Sequence, residues 1–125
     1  MTFKILIGKQ TTEILPPCPK ITDKVKTLAN ELKVFALNTD NCLGLAANQV
    51  GLKERICIIN ANNKDKVIAA INPIIEVYTG EKYRTIERCL SFPGQKILAI
   101  RSSVVIVRYT DAQDGEEYLR PFEGI

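Results

Sequence analysis

Two short stretches carry the side chains best suited to chemistry: GLAANQVG at residues 44–51 and ERCLSFPG at residues 87–94. The second contains Cys89, which as a thiolate is a nucleophile or a metal ligand and as a thiol is a small core residue. Both reactive uses normally need an imidazole nearby, as a base or as a second ligand. The chain contains no histidine. Taken alone, Cys89 is therefore better interpreted as an inert core residue.

In the first stretch, small residues surround an amide side chain. Gly44, Ala46 and Ala47 have little or no side chain, so another molecule can approach the backbone closely. Gln49 follows them with an amide that both donates and accepts hydrogen bonds, so it could stabilise charge that develops on a substrate carbonyl oxygen. The alternative is a tight helix or strand crossing that requires small residues. Composition alone favours this alternative.

A helix precedes both stretches. Apolar residues recur at spacings of three and four from Val25 to Phe35, with lysines largely on the opposite face. Thr22 or Asp23 can cap its start. This pattern predicts an amphipathic helix over residues 22–38.

The rest of the chain has the character of strands. Residues 3–7 alternate as a strand does, and ERICIIN, KVIAAINPII and SVVIVRYT are short segments rich in Ile and Val. Residues 60–66 predict a hairpin loop, and Asp114–Gly115 predicts a turn before one more strand. Together these elements predict an α+β fold with one N-terminal helix and mainly antiparallel strands. Since one helix covers little of such a sheet, either the strands close on themselves or a covering layer is missing from the chain.

Composition excludes several classes of protein. The formal charge of the 125 residues is only +3, and lysines alternate with acids, so no nucleic-acid-binding stripe stands out. No signal peptide is visible, and the apolar runs are far shorter than the ~20 residues that span a bilayer. The four cysteines form no CxxC pair. We therefore expect a cytoplasmic protein with reduced thiols, in which Cys18, Cys42 and Cys57 are small hydrophobic residues.

Taken together, the two stretches resemble the first two signature motifs of the peptide deformylases. Members of this family are metal-dependent hydrolases that remove the formyl group from the N-terminal formylmethionine of new polypeptides. The flanks are similar too: a Pro-rich entry and a helix come first, INPII lies between the motifs, and RSSVVIVRYTDAQDG follows them. The resemblance covers nearly all of the chain. It implies a deformylase-like α+β fold.

The resemblance also implies chemical roles. Gln49 is similar to the family's glutamine that hydrogen-bonds the formyl oxygen, and the N–H of Leu90 is similar to the second oxyanion donor. Cys89 is similar to the cysteine ligand of the catalytic metal, usually Fe²⁺, with Zn²⁺, nickel or cobalt as substitutes. Glu87 and Arg101 match an ion pair, which we expect to be a buried orienting contact.

The same resemblance implies a peptide-binding surface. Gly44 and Leu45 match the backbone edge along which the peptide substrate lies as an added strand. Leu43 and Ile86 are the candidates for the pocket that takes the methionine side chain. The expected partners are therefore formyl-Met peptide N-termini. No membrane is implied, and no nucleic acid beyond proximity to the ribosome.

Three departures from the family pattern are visible. Cys42 and Arg88 stand where the family usually has glycine, so each carries strain if the backbone there needs a positive φ. The third departure concerns HExxH, the motif that supplies two histidine ligands and the general base. The chain ends at PFEGI without it. One cysteine is not a catalytic metal site, which needs three protein ligands.

We therefore expect residues 1–125 to be a single deformylase-like domain that is truncated at its C-terminal end. Such a chain holds no stoichiometric iron or zinc and does not catalyse deformylation alone. Its uncovered sheet face is a candidate surface for self-association. The alternative is a natural, non-catalytic deformylase-like protein that binds peptide N-termini or another partner. An unrelated thiol protein is the least favoured interpretation.

Overall fold

The structure is a computed structural model that describes residues 3–8, 14–40, 42, 44–60 and 67–123. Neighbouring strands pair antiparallel in the order β1-β2-β3-β4-β5, so the sheet is a meander. The predicted α+β class, with one helix and antiparallel strands, is confirmed. The elements in chain order are α1 (Asp23–Leu37), β1 (Gly44–Ala46), a short 3₁₀ helix (Ala47–Val50), β2 (Ile56–Ile59), β3 (Ile68–Cys89), β4 (Phe92–Asp111) and β5 (Glu117–Glu123).

The helix forms where its periodicity predicts it. Thr22 caps α1, because its hydroxyl accepts a 3.3 Å hydrogen bond from the N–H of Val25. Leu28 and Leu32 lie on the buried face of α1 and pack against β2 and the start of β3. The helix therefore covers the end of the sheet that carries β1 and β2. Among the described residues, no helix has the length and apolarity that a membrane crossing requires.

Strands β3 and β4 are much longer than the short segments that the sequence indicates. They contain 22 and 20 residues and form one long hairpin. Polar residues between the apolar segments suggest breaks, but the pairing continues through register shifts at several points. Gly80 lies at one shift with a φ of +79°, and a Cβ there would be 2.1 Å from the Ser103 hydroxyl oxygen. Glycine is therefore required at this bulge.

The N-terminal segment differs from its prediction. Phe3–Ile7 is not a strand of the sheet. Its main chain instead donates from the N–H of Leu6 to the Gln49 carbonyl oxygen at 2.8 Å. The next such bond runs from the N–H of Gly8 to the Ser91 carbonyl oxygen at 2.9 Å. The segment is therefore held by the short 3₁₀ helix and the β3–β4 turn rather than by a neighbouring strand. Of the predicted loop at residues 60–66, positions 61–66 lie outside the described residues.

Much of the sheet surface is uncovered. Ile86 and Leu98 are directly opposite each other on β3 and β4, and both are about two-thirds exposed (67% and 69%). Ile100 continues this apolar surface along β4. Strands β1 and β5 remain at opposite edges, so the sheet does not close on itself. A single helix is thus too small to cover the sheet.

Candidate active site

The fold brings the two sequence stretches together. Gln49 lies in the short 3₁₀ helix after β1, and Cys89 is the last residue of β3. The Gln49 amide nitrogen Nε2 is 3.5 Å from Cys89 Sγ, although the two residues are 40 positions apart in the chain. The structure therefore places the predicted oxyanion donor beside the predicted metal ligand.

Local hydrogen bonds orient the Gln49 amide. Its oxygen Oε1 accepts a 2.9 Å bond from the N–H of Ala46, which is the residue that caps the 3₁₀ helix. Nε2 lies 3.3 Å from the Ser91 hydroxyl oxygen. Gly51 ends the helix with a φ of 83°, a left-handed conformation that suits glycine. As a result, the donor side of the amide is directed towards Cys89 and Ser91.

A tight turn holds the other half of the site. Cys89 pairs with Phe92 across the β3–β4 hairpin, so Leu90 and Ser91 form the two-residue turn between them. The Leu90 side chain packs against the main core, and Ser91 is fully buried. Among the described residues, the N–H of Leu90 makes no main-chain hydrogen bond outside the strand ladder. This N–H lies in the same turn as Ser91, whose hydroxyl meets Gln49 Nε2.

A cleft of about 900 Å³ opens beside this turn. Cys89, Leu90 and Ile86 all line it. The structure thus brings Ile86 to the wall of the cleft that contains the cysteine. Leu43, the other candidate for the methionine pocket, lies outside the described residues.

The predicted peptide-binding residues lie at the edge of the sheet. β1 pairs only with β2, so its outer edge is not covered by another strand among the described residues. Gly44 is exposed, whereas the Leu45 side chain is 2% exposed and belongs to the core. Only the main chain of Leu45 can therefore contact a ligand.

The predicted ion pair forms, but it is not buried. Arg101 Nε donates to Glu87 Oε2 at 2.8 Å. The two side chains are 57% and 35% exposed, because α1 covers the opposite end of β3. The expectation of a buried contact was therefore wrong. The guanidinium of Arg101 holds the pKa of the Glu87 carboxyl below its usual value.

This pKa shift predicts how the stability of the pair depends on pH. Because the folded-state pKa of Glu87 is lowered, its contribution is complete above the unfolded-state pKa of ~4.3 and is lost as the pH falls through the folded-state pKa. We expect Glu87→Gln to lower the free energy of unfolding by less than about 1 kcal/mol at pH 7, since the pair is exposed. The difference from the unsubstituted chain should shrink at pH 3. Urea unfolding at both pH values measures it, with Glu81→Gln on the same strand as control. A difference that is the same at both values would contradict the prediction.

The two residues that stand where the family usually has glycine fit the backbone without strain. Cys42 and Arg88 have no positive φ, since Asn72 is the only non-glycine residue with a positive φ in the described part of the chain. Cys42 is buried, and burial raises the pKa of its thiol. Burial likewise raises the pKa of Cys57 to about 12. Both thiols are therefore protonated at neutral pH, which agrees with the expectation that Cys42 and Cys57 act as small hydrophobic residues.

The residues present do not fit a complete catalytic metal site. Within the described ranges, no three His, Cys, Asp or Glu side chains are grouped closely enough to hold a metal ion. The sequence has no histidine that could join Cys89. A catalytic zinc-type site needs three protein ligands. The 125 residues thus supply at most one of the ligands that the family resemblance implies.

Sequence reasoning missed Ser91 and the N-terminal segment as parts of the site. Ser91 follows directly after Cys89 and Leu90, but only the fold shows that its hydroxyl meets Gln49. The signal in the sequence was the position of a small polar residue in an apolar motif. Nothing in the local pattern of residues 3–8 indicates that they bridge the 3₁₀ helix and the β3–β4 turn.

Known proteins with similar sequences support the same grouping. The family model described as Polypeptide deformylase matches residues 8–125. A peptide deformylase-like protein of Rickettsia conorii is 34% identical over 101 residues, which cover 79% of this chain and 55% of the relative. A peptide deformylase of Finegoldia magna is 36% identical over 106 residues, which cover 85% of this chain and 62% of the relative. The chain thus spans less than two thirds of the length of these curated relatives.

Solved structures support the fold as well. The crystal structure of peptide deformylase from Thermotoga maritima superposes with a TM-score of 0.84 at 27% identity. The match covers 99% of this chain and 83% of that one. Peptide deformylases are a metal-dependent family that acts on formyl-Met peptides. Since the family model matches almost the entire chain and the fold agrees, this chain belongs to the peptide deformylase family.

Proposed function

We propose that this chain forms the substrate-binding and oxyanion-stabilising part of a hydrolase that removes the formyl group from N-terminal formylmethionine. The observation that carries the proposal is the 3.5 Å distance between Gln49 Nε2 and Cys89 Sγ. The N–H of Leu90 follows Cys89 directly. A formyl oxygen in this space would accept hydrogen bonds from both donors. Negative charge that develops on this oxygen during attack would then be stabilised by donors that are already in position.

The edge strand supports binding of an extended peptide. A peptide can add to the outer edge of β1 as a further strand, with main-chain hydrogen bonds supplying affinity. Gly44 has no side chain to keep the peptide backbone away. Ile86, together with Leu43, would supply apolar surface for the methionine side chain. The proposal therefore assigns the peptide to β1 and its first side chain to the cleft.

The metal is the incomplete part of this proposal. We assign Cys89 as one ligand of Fe²⁺ or Zn²⁺, and the described residues do not supply two others. The proposed protein is a single domain of the cytoplasm, where newly made polypeptides carry formylmethionine.

A second candidate function follows from the incomplete set of metal ligands. β1 pairs only with β2 among the described residues, and Gln49 Nε2 lies beside Cys89, whereas the described residues do not group three metal ligands. A protein of this kind could bind formylated N-termini without hydrolysing them. The two functions share the binding step and differ only in the reaction that follows it.

Binding of a formylated peptide tests the shared step. We expect formyl-Met-Ala-Ser to bind this chain about tenfold more tightly than Met-Ala-Ser, since its formyl oxygen gains two hydrogen bonds of ~1 kcal/mol each, partly offset by ordering. Isothermal titration calorimetry with both peptides measures the difference. Acetyl-Met-Ala-Ser is the control for loss of the charged amine. Equal affinity for the formylated and free peptides would contradict the proposal.

A further inference from the structure

The Gln49 amide has two N–H groups, and the structure gives each a different direction. Its oxygen accepts a hydrogen bond from the N–H of Ala46 at 2.9 Å, so the nitrogen end of the amide faces the β3–β4 turn. On the other end, Nε2 is 3.3 Å from Ser91 Oγ and 3.5 Å from Cys89 Sγ. One N–H can therefore be bound by the serine while the other points to the cysteine.

Ser91 is unusual for its burial and its anchoring. It is the one fully buried polar residue among the described residues, with 0% exposure. Its carbonyl oxygen accepts from the N–H of Gly8, and the carbonyl oxygen of Gln49 accepts from the N–H of Leu6. The same short segment thus holds both residues through donors two positions apart. These bonds tether the main chains of Gln49 and Ser91 to one segment, which favours contact between their side chains.

We propose that Ser91 is a positioning residue that directs the second N–H of Gln49, which faces Cys89 Sγ, towards the reacting oxygen. The hydroxyl occupies one amide N–H, so the other stays directed to the space beside Cys89. The inference rests on the proposed role of Gln49 as the donor to the formyl oxygen. Without the hydroxyl, a partly buried N–H loses its acceptor, and the amide lowers its free energy by rotating away.

The amide can be observed directly in the 125-residue chain by NMR. In the unsubstituted protein we expect two well-separated Gln49 side-chain N–H signals and a nuclear Overhauser effect from one of them to the Ser91 β-protons. In Ser91→Ala the separation should collapse towards that of a solvated glutamine. Affinity for formyl-Met-Ala-Ser should fall about fivefold, as expected for one lost hydrogen bond. The affinity for Met-Ala-Ser should not change.

Matched variants separate positioning from general stability. Ser91→Thr keeps the hydroxyl and should retain both the amide signals and the preference for the formylated peptide. Ser102→Ala makes the same chemical change on β4 away from the site, and it should alter neither. Unchanged Gln49 signals and unchanged affinity in a folded Ser91→Ala variant would overturn the proposal.

Two further outcomes bear on the positioning role of Ser91. If Ser91→Ala does not fold, the Overhauser effect in the unsubstituted protein decides, because its absence means that the hydroxyl does not meet the amide. If the unsubstituted protein binds formylated and free peptides equally, the proposed function fails. The response of the amide signals to Ser91→Ala then still confirms or overturns the positioning role.

Discussion

Gln49→Ala should lower the deformylase kcat/KM by about 10²–10³-fold in a chain extended by a helix that carries HExxH. This is the size of effect expected when one oxyanion donor is removed from a preorganised site. Gln49 is held by hydrogen bonds to Ala46 and Ser91, so we expect its donor to need little rearrangement during the reaction. The loss should fall mainly on kcat, because the hydrogen bond strengthens as charge develops on the oxygen.

The extension provides what the described residues lack. HExxH brings two histidines and a glutamate, which the family resemblance assigns as metal ligands and general base. Hydrolysis of formyl-Met-Ala-Ser is then followed in three proteins: the extended chain, its Gln49→Ala variant and its Gln113→Ala variant. Gln113 lies in the exposed turn before β5, so its replacement is a matched control that should leave kcat/KM unchanged.

The 125-residue chain itself is the baseline of this experiment. We expect no deformylation from it and no stoichiometric iron or zinc by elemental analysis, since a single cysteine does not make a catalytic metal site. Tight one-to-one metal in this chain would contradict that expectation. If the extended chain is active but Gln49→Ala has no effect, the assignment of the oxyanion donor is wrong. If the extended chain is inactive, Arg88 is the next residue to replace by glycine, since it lines the cleft beside Cys89.

The sequence predicts the helix well because the determinants of a helix are local. Thr22 and the apolar spacing from Val25 onward lie within a few turns of one another, and α1 begins and ends within one residue of its prediction. The motif stretches also predict which residues meet, through their resemblance to a known family. Gln49 and Cys89 are adjacent in space, as this resemblance implies.

The features that the sequence does not reveal depend on partners far along the chain. Ser91 meets Gln49 across 42 positions, and the N–H groups of Leu6 and Gly8 donate to carbonyl oxygens in the 3₁₀ helix and in the β3–β4 turn. The alternation at residues 3–7 indicates only that one face of the segment is buried. A strand has such a face, and so does an irregular segment that packs against the rest of the fold. The sequence also does not reveal the length of β3. A strict alternation of apolar and polar residues would predict that the strand ends at the polar positions, but bulges allow the pairing with β4 to continue through them.

Asn72→Ala should lower the free energy of unfolding by roughly 2–4 kcal/mol, the largest stability effect we expect from one polar residue here. The Asn72 side chain accepts from the N–H of Cys18 at 2.7 Å and donates to the carbonyl oxygen of Cys18 at 3.0 Å. Both bonds tie the Pro-rich segment before α1 onto the sheet. Asn72 also has a φ of 54°, which asparagine tolerates better than alanine does.

A second variant separates the two contributions. Asn72→Gly loses both hydrogen bonds but accepts the positive φ, so it should be more stable than Asn72→Ala by about 1 kcal/mol. Asn30→Ala removes one hydrogen bond, from Nδ2 to the carbonyl oxygen of Ala112, and should cost about 1 kcal/mol. Urea unfolding followed by circular dichroism measures all three, because the chain has no tryptophan.

The effect of Asn72 should exceed that of a single side-chain bond because the neighbouring contacts depend on it. The N–H of Asn72 donates to the carbonyl oxygen of Arg55, and Arg55 Nε in turn donates to the carbonyl oxygen of Leu15 at 2.7 Å. Asn72 and Arg55 thus hold the same Pro-rich segment at two points, near Cys18 and at Leu15. Releasing one point weakens the other, so the loss in Asn72→Ala should be greater than twice that in Asn30→Ala. A loss equal to that of Asn30→Ala would contradict this coupling between the two attachment points.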